Sequence, residues 1–89
     1  MTDERERIEA GVRGALRDVL ALSDARAAAL EPATPLFGAM PELDSMAVAG
    51  LLTEIEDRLG IIIEDDEVDG EMLESFGALV AFVTRKVLA

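Results

Sequence analysis

The chain has 89 residues, which predicts one small domain that spans residues 1–89. It contains no cysteine and no histidine, so disulfides, thiolate metal sites and histidine general bases are excluded. The hydrophobic fraction of 51% favours a folded domain, while the net charge of -11 opposes binding to nucleic acid or to anionic membranes. We therefore expect basic protein partners, which the negative charge attracts.

The charge is unevenly distributed along the chain. Residues 1–30 hold six acids against five arginines, whereas residues 31–84 hold thirteen acids against one base, Arg58. No basic segment followed by an apolar one resembles a signal peptide, and the longest apolar stretches are too short to span a bilayer. These features predict a cytoplasmic monomer. We expect no enzyme activity, because no motif marks a catalytic pair of acids and so small a domain has no obvious deep pocket.

Three segments carry apolar residues at the spacing i, i+4, i+7 and i+11, which lines one face of an α-helix. In chain order they are Ile8, Val12, Ala15, Val19 and Leu22 in the first segment, Val48, Leu52, Ile55 and Leu59 in the second, and Phe76, Val80, Val83 and Val87 in the third. No segment alternates between apolar and polar residues for long enough to indicate a β-strand. The pattern predicts three main helices.

A long loop is predicted between the first two of these helices. All three prolines of the chain fall within residues 30–43, together with a glycine, and such residues interrupt regular structure. Leu36 and Phe37 are apolar, and we expect both side chains to tuck into the core.

Capping residues mark the ends of the second and third main helices. Asp44 or Ser45 is suited to begin the second helix, Gly60 to end it, and Ser75 to begin the last one. Between them, residues 65–73 have room for one short turn of helix. The prediction is an all-α fold, a small bundle of three main helices plus one short helix, with a long first loop.

The most informative segment begins the second predicted helix, where a serine directly follows an aspartate. Asp44-Ser45-Met46 resembles the signature of the acyl carrier protein family, the phosphopantetheine-binding carrier proteins, in which Asp-Ser-Leu begins the second helix. At the third position of this signature the chain has Met46 instead of leucine. The resemblance extends from about Ile8 to Val87. It includes Leu51-Leu52, Ile55-Glu56, Leu59-Gly60-Ile61, Asp65-Asp66-Glu67 and Phe76-Gly77-Ala78-Leu79-Val80.

The resemblance implies a function. A phosphopantetheinyl transferase would move 4′-phosphopantetheine from coenzyme A onto the Ser45 hydroxyl, and the cofactor's thiol would carry an acyl or aminoacyl group as a thioester. Asp44 would position the metal ion or the basic groups of the transferase. The chain would act as a shuttle and not as an enzyme. An acyl-loading ligase or acyltransferase would load it, and synthases or transferases with basic docking patches would receive the cargo.

The resemblance also implies that the second helix is the docking surface. Met46 would supply an apolar contact. The acidic contacts would be Glu54, Glu56 and Asp57. Ala47 and Gly50 occupy positions that are often acidic in carriers of fatty acid synthases, so the face near Ser45 is less charged than usual. This departure favours a specialised carrier, for example one loaded by an AMP-forming acyl or amino-acid ligase. The candidate pathways are fatty acid biosynthesis and polyketide or nonribosomal peptide biosynthesis.

Two other interpretations remain open at this stage. Ser45 would be an ordinary helix cap if the chain were an unmodified acidic helical module that binds a basic partner. A small calcium-responsive protein is the third hypothesis, because the acids that follow Asp65 have the initial spacing of an EF-hand loop. Its twelfth position is Phe76, however, where a bidentate glutamate is required. A weaker form of the calcium hypothesis is a low-affinity site for divalent cations, whose ligands would be Asp65, Glu67 and Asp69.

Overall fold

The computed structural model describes residues 3–89 and confirms the all-α prediction. The helices are α1 (Glu4–Val19), α2 (Asp24–Ala28), α3 (Ser45–Leu59) and α4 (Phe76–Leu88), with a 3-10 turn at Asp65–Glu67. The three main helices and the short turn before the last one were predicted, whereas the five-residue α2 was not. Among residues 3–89 the extended structure is one isolated antiparallel bridge, between Pro35 and Ser75. No helix in this part of the chain is long and apolar enough to cross a membrane.

Side chains cap the beginnings of the helices as the sequence indicates. The Asp44 carboxylate accepts a hydrogen bond from the Ala47 amide at 2.8 Å, so Asp44 is the cap and Ser45 is the first residue of α3. Ser75 caps α4 in the same way. Gly60 ends α3 with a φ of +66°, a left-handed conformation that glycine adopts at little cost.

Helix α1 is the centre of the bundle, because it packs against each of the other three helices. Its buried face consists of Ile8, Val12, Ala15 and Leu16. In α3 the buried line differs from the predicted one, since Leu51 and Ile55 are buried while Val48, Leu52 and Leu59 are half-buried against the core. The side chains that are most completely buried are Phe76, Ile8, Leu16, Leu36, Leu51, Ile55, Leu79, Val12 and Val83.

The prediction for Phe37 was wrong. Leu36 is fully buried as expected, but the Phe37 side chain is 51% exposed. The two backbone amides donate to Glu74 O at 3.1 Å and to Leu73 O at 2.9 Å, and Leu36 O accepts from the amides of Ala39 and Met40, so the chain turns at Phe37. Turns run over the protein surface, so the Phe37 ring is left exposed where the chain turns, although Leu36 is buried.

The long loop is attached to the start of α4 by its backbone. Phe76 N donates to Thr34 O and Gly77 N donates to Pro32 O, each at 2.9 Å. A Cβ atom at residue 77 would lie 2.8 Å from Pro32 O and 3.0 Å from Pro32 Cα, so this approach requires glycine. The loop therefore crosses the first turn of α4 in backbone contact.

Arg13 joins three of the helices through its guanidinium group. It donates to the carbonyl oxygens of Ala27 at 2.6 Å and Leu30 at 2.9 Å, which satisfies acceptors at the end of α2. It also pairs with Glu9 at 2.6 Å and lies 4.8 Å from the centre of the Phe76 ring. A cation over a buried aromatic ring adds to the attraction between α1 and α4.

Two glycine substitutions test this account of the packing. Gly50 is exposed, and a Cβ atom there would meet only Val19 Cγ1 at 3.7 Å, an ordinary contact. We expect Gly50→Ala to raise the free energy of unfolding by about 1 kcal/mol, because alanine favours helix. We expect Gly77→Ala to lower it by roughly 1–3 kcal/mol, because the loop must move away from α4. Urea unfolding followed by circular dichroism measures both, and equal effects of the two variants would contradict this account.

Candidate functional site

Ser45 lies at the exposed beginning of α3. Its hydroxyl forms no hydrogen bond with any of residues 3–89, and the amides of Ser45 and Met46 have no backbone partner in this range either. The Asp44 carboxylate holds the next free amide, that of Ala47. Unpaired amides and the helix dipole make such an end attractive to an anion. An acidic group attached to Ser45 would therefore be stabilised electrostatically.

An open groove of about 310 Å³ lies directly beside Ser45. The groove has three walls. They are formed by the start of α3, by the long loop, and by the segment between the 3-10 turn and α4. Its lining is mostly apolar and consists of Phe37, Ser45, Val48, Val68, Asp69, Gly70 and Leu73. The site thus combines an accessible hydroxyl with a neighbouring apolar surface.

Polar contacts fix the wall of the groove that follows the 3-10 turn. Glu67 Oε1 accepts from Lys86 Nζ at 2.8 Å and from the Glu64 amide at 3.0 Å, which ties the turn to the last turn of α4. The Asp69 carboxylate accepts from the Met72 amide at 3.0 Å. These bonds hold Val68 between two anchored acids.

Phe37 is the part of the site that sequence reasoning missed. The prediction placed it in the core together with Leu36 because both residues are apolar. A signal was present in Gly38, which directly follows Phe37, since glycine marks a turn and turns run over the surface. The exposed ring lines the groove beside Ser45 instead.

The structure separates the predicted docking residues of α3. The Met46 side chain is 85% exposed and Asp57 is exposed, without an ion-pair or side-chain hydrogen-bond partner among residues 3–89. Glu54 binds Arg58 Nε at 2.8 Å, and Glu56 accepts from the Ile63 amide at 2.8 Å. With 3.6 residues per turn, Glu54 and Glu56 lie on opposite flanks of the exposed face and Asp57 lies between them. The three acids do not form one cluster.

The predicted acidic cation ligands are not brought together either. No group of three or more acids among residues 3–89 is arranged to hold a metal ion. Glu67 is engaged with Lys86, and Asp69 with a backbone amide. Phe76, at the twelfth position of the EF-hand count, is only 1% exposed and belongs to the core.

Comparison with known proteins connects this geometry to one family. The family model for the phosphopantetheine attachment site matches residues 10–83. The solution NMR structure of a holo acyl carrier protein from Nitrosomonas europaea is similar, with 38% sequence identity and a TM-score of 0.83. That match covers 94% of this chain and 99% of the other. A search of curated proteins found no match.

The Glu67–Lys86 ion pair makes a prediction about acid stability. The hydrogen bond from Lys86, and then the one from the Glu64 backbone, lower the pKa of Glu67 below its ordinary value of 4.5. A carboxyl group with a lowered pKa stabilises the fold above its ordinary pKa, and this stabilisation is lost as the pH falls through the folded value. We expect Glu67→Gln to be less stable than the wild type at pH 7, and the difference to narrow below pH 4.5.

Unfolding in urea across the acid range measures this difference. Glu71→Gln is the matched control, because Glu71 is exposed and has no ion-pair partner among residues 3–89. A difference between Glu67→Gln and the wild type that stays constant with pH would contradict the prediction.

Proposed function

Because this chain belongs to the family of proteins with a phosphopantetheine attachment site, we propose that Ser45 is the residue that carries the cofactor. The protein is a carrier of the acyl carrier type, a substrate of other enzymes and not a catalyst. Its cofactor is covalently attached 4′-phosphopantetheine. The thiol of that group supplies the thioester chemistry, which the chain itself lacks because it has no cysteine.

The hydrogen bonds of the three serine hydroxyls support the choice of Ser45. The hydroxyl of Ser23 accepts from the Arg26 amide at 3.1 Å, and that of Ser75 accepts from the Ala78 amide at 3.1 Å. Both are therefore occupied as helix caps. The Ser45 hydroxyl is exposed and has no partner among residues 3–89, since Asp44 does the capping there. A transferase can reach it without breaking a helix cap.

The surroundings of Ser45 also suit the proposed group. Transfer from coenzyme A forms a bond between Ser45 Oγ and phosphorus and releases the adenine-nucleotide half of coenzyme A. The phosphate would then lie near the unpaired amides at the beginning of α3, which favour an anion. The apolar groove lined by Phe37, Val48 and Leu73 gives the attached arm a surface to contact.

Asp44 is proposed to position the metal ion or the basic side chains of the transferase. Its bond to the Ala47 amide fixes the carboxylate directly beside Ser45. A fixed negative charge next to the reacting hydroxyl attracts the cationic groups of a partner at low entropic cost.

The partners are proposed to contact the exposed face of α3. After Asp44, this face carries Met46, Ala49, Gly50 and Thr53, all uncharged, and the first exposed acid within α3 is Asp57. Glu54 and Glu56 already have contacts within the chain, so they contribute to the field more than to direct pairing. A nearly neutral face favours the loading enzymes and synthases of a specialised cytoplasmic pathway, such as polyketide or nonribosomal peptide biosynthesis.

Intact-protein mass spectrometry tests the attachment site. After incubation with coenzyme A and a broad-specificity phosphopantetheinyl transferase, we expect the wild type to gain the mass of one phosphopantetheinyl group and Ser45→Ala to gain none. Ser23→Ala is the control and should be modified like the wild type. A wild type that gains no mass would favour the unmodified acidic module, and a modified Ser45→Ala would place the site elsewhere.

The kinetics of the same reaction test the docking face. Met46 is highly exposed, so Met46→Ala should leave the free energy of unfolding unchanged. We expect it to raise the KM of the transferase for the carrier by roughly 3–10-fold, the range for loss of one apolar interface contact. Ile62→Ala is the matched control, because Ile62 is 70% exposed and follows the opposite end of α3. Equal effects of both variants would contradict the assignment of Met46.

A further inference from the structure

Most cationic side chains of this acidic protein are neutralised locally. Each pairs with a carboxylate of the chain: Arg7 with Glu4, Arg13 with Glu9, Arg17 with Asp18 and Asp24, Arg26 with Glu42, Arg58 with Asp18 and Glu54, and Lys86 with Glu67. Arg5 and Arg85 are different, because neither forms an ion pair with any of residues 3–89. These two charges are available to an external group.

Both of these arginines line the same groove. It has a volume of about 410 Å³ and lies between the start of α1 and the outer face of α4. Its floor is apolar and consists of Pro32, Phe76, Gly77, Val80 and Ala81. The other lining residues are Thr84 and Glu9, and the Glu9 carboxylate is already paired with Arg13 at 2.6 Å.

Arg5 lies in the first turn of α1 and Arg85 in the last turn of α4, so each helix contributes one cationic side chain to the lining of the groove. The groove therefore combines an apolar floor with two cationic side chains.

Other groups around Arg85 leave its charge available. The guanidinium lies 6.0 Å from the centre of the Phe82 ring, and the side chain also borders a shallow depression that contains Glu67, Asp69 and Glu71. None of these three carboxylates forms an ion pair with Arg85, and Glu67 is bound to Lys86.

We propose that this groove binds an acidic amphipathic helix of a protein partner. The apolar floor would receive the apolar side of such a helix, and the small, exposed side chain of Ala81 on α4 allows its backbone to approach closely. The arginines would pair with its carboxylates. The net charge of -11 repels acidic segments from the rest of the surface, so charge complementarity selects this groove.

The groove is also independent of the proposed attachment site. It shares no lining residue with the groove beside Ser45. A partner bound there would leave the Ser45 hydroxyl and the exposed face of α3 accessible to enzymes. Binding in this groove is therefore independent of whether Ser45 is modified.

A displayed library of sixteen-residue amphipathic helices tests the proposal on the full chain. One library has glutamate or aspartate at every polar position, a second has lysine or arginine there, and the apolar positions are randomised in both. We expect the acidic library to yield peptides whose amide-shift perturbations in the protein's NMR spectrum centre on Gly77, Ala81 and Arg85. Arg5→Gln/Arg85→Gln should weaken their Kd by about tenfold or more, because two charge-assisted contacts are lost.

Two variants complete the experiment. Arg7→Gln/Arg26→Gln makes the same change in net charge outside the groove and should alter Kd by less than about twofold. Ala81→Glu puts a carboxylate on the exposed floor and should abolish binding while the wild-type circular dichroism spectrum is retained. Three results would overturn the proposal: no acidic binders, binders that are insensitive to Arg5→Gln/Arg85→Gln, or shifts centred on α3. If the protein also binds phosphatidylglycerol vesicles, and Arg5→Gln/Arg85→Gln weakens that binding as much as it weakens peptide binding, a protein helix is not the occupant.

Discussion

The backbone contact between Pro32 and Gly77 is the constraint on which the site depends. It is one of four main-chain hydrogen bonds that attach the long loop to the segment before α4 and to the first turn of that helix. Two of these hydrogen bonds are donated by the amides of Leu36 and Phe37. They place the Leu36 side chain in the core and the Phe37 side chain at the surface.

Several carboxylates of this protein form hydrogen bonds or ion pairs within the fold. They are therefore not all available for contacts with partner proteins. Asp44 caps α3, Glu56 receives the Ile63 amide after that helix, and Glu67 joins the 3-10 turn to α4. Arg13 has the corresponding role among the cations, because it completes the end of α2 and packs on Phe76. A group that is engaged in this way can attract a partner by its field but has less capacity for direct pairing.

Much of the site was predictable because its signals are local. Asp44 and Ser45 stand together in the chain, and a cap followed by the first helical residue is a relation between near neighbours. The exposure of Met46 follows from its position outside the apolar stripe of α3. The hydrogen bond from the Ile63 amide to Glu56, by contrast, depends on how the chain continues after α3 ends. The positions of the three acids around α3 follow from 3.6 residues per turn, which places Glu54 and Glu56 on opposite flanks and Asp57 between them.

By itself the sequence determined the all-α class, the three main helices and their caps, since helical periodicity and capping are properties of short segments. It also determined that any reactive thiol must be added, because the chain has no cysteine. Only the tertiary structure decided the exposure of Phe37, the groove beside Ser45, and the presence of Arg5 and Arg85 in the lining of a second groove. The residues of each groove are far apart in the chain, and their approach results from the packing of the loop and α4 against α1, which no local pattern specifies.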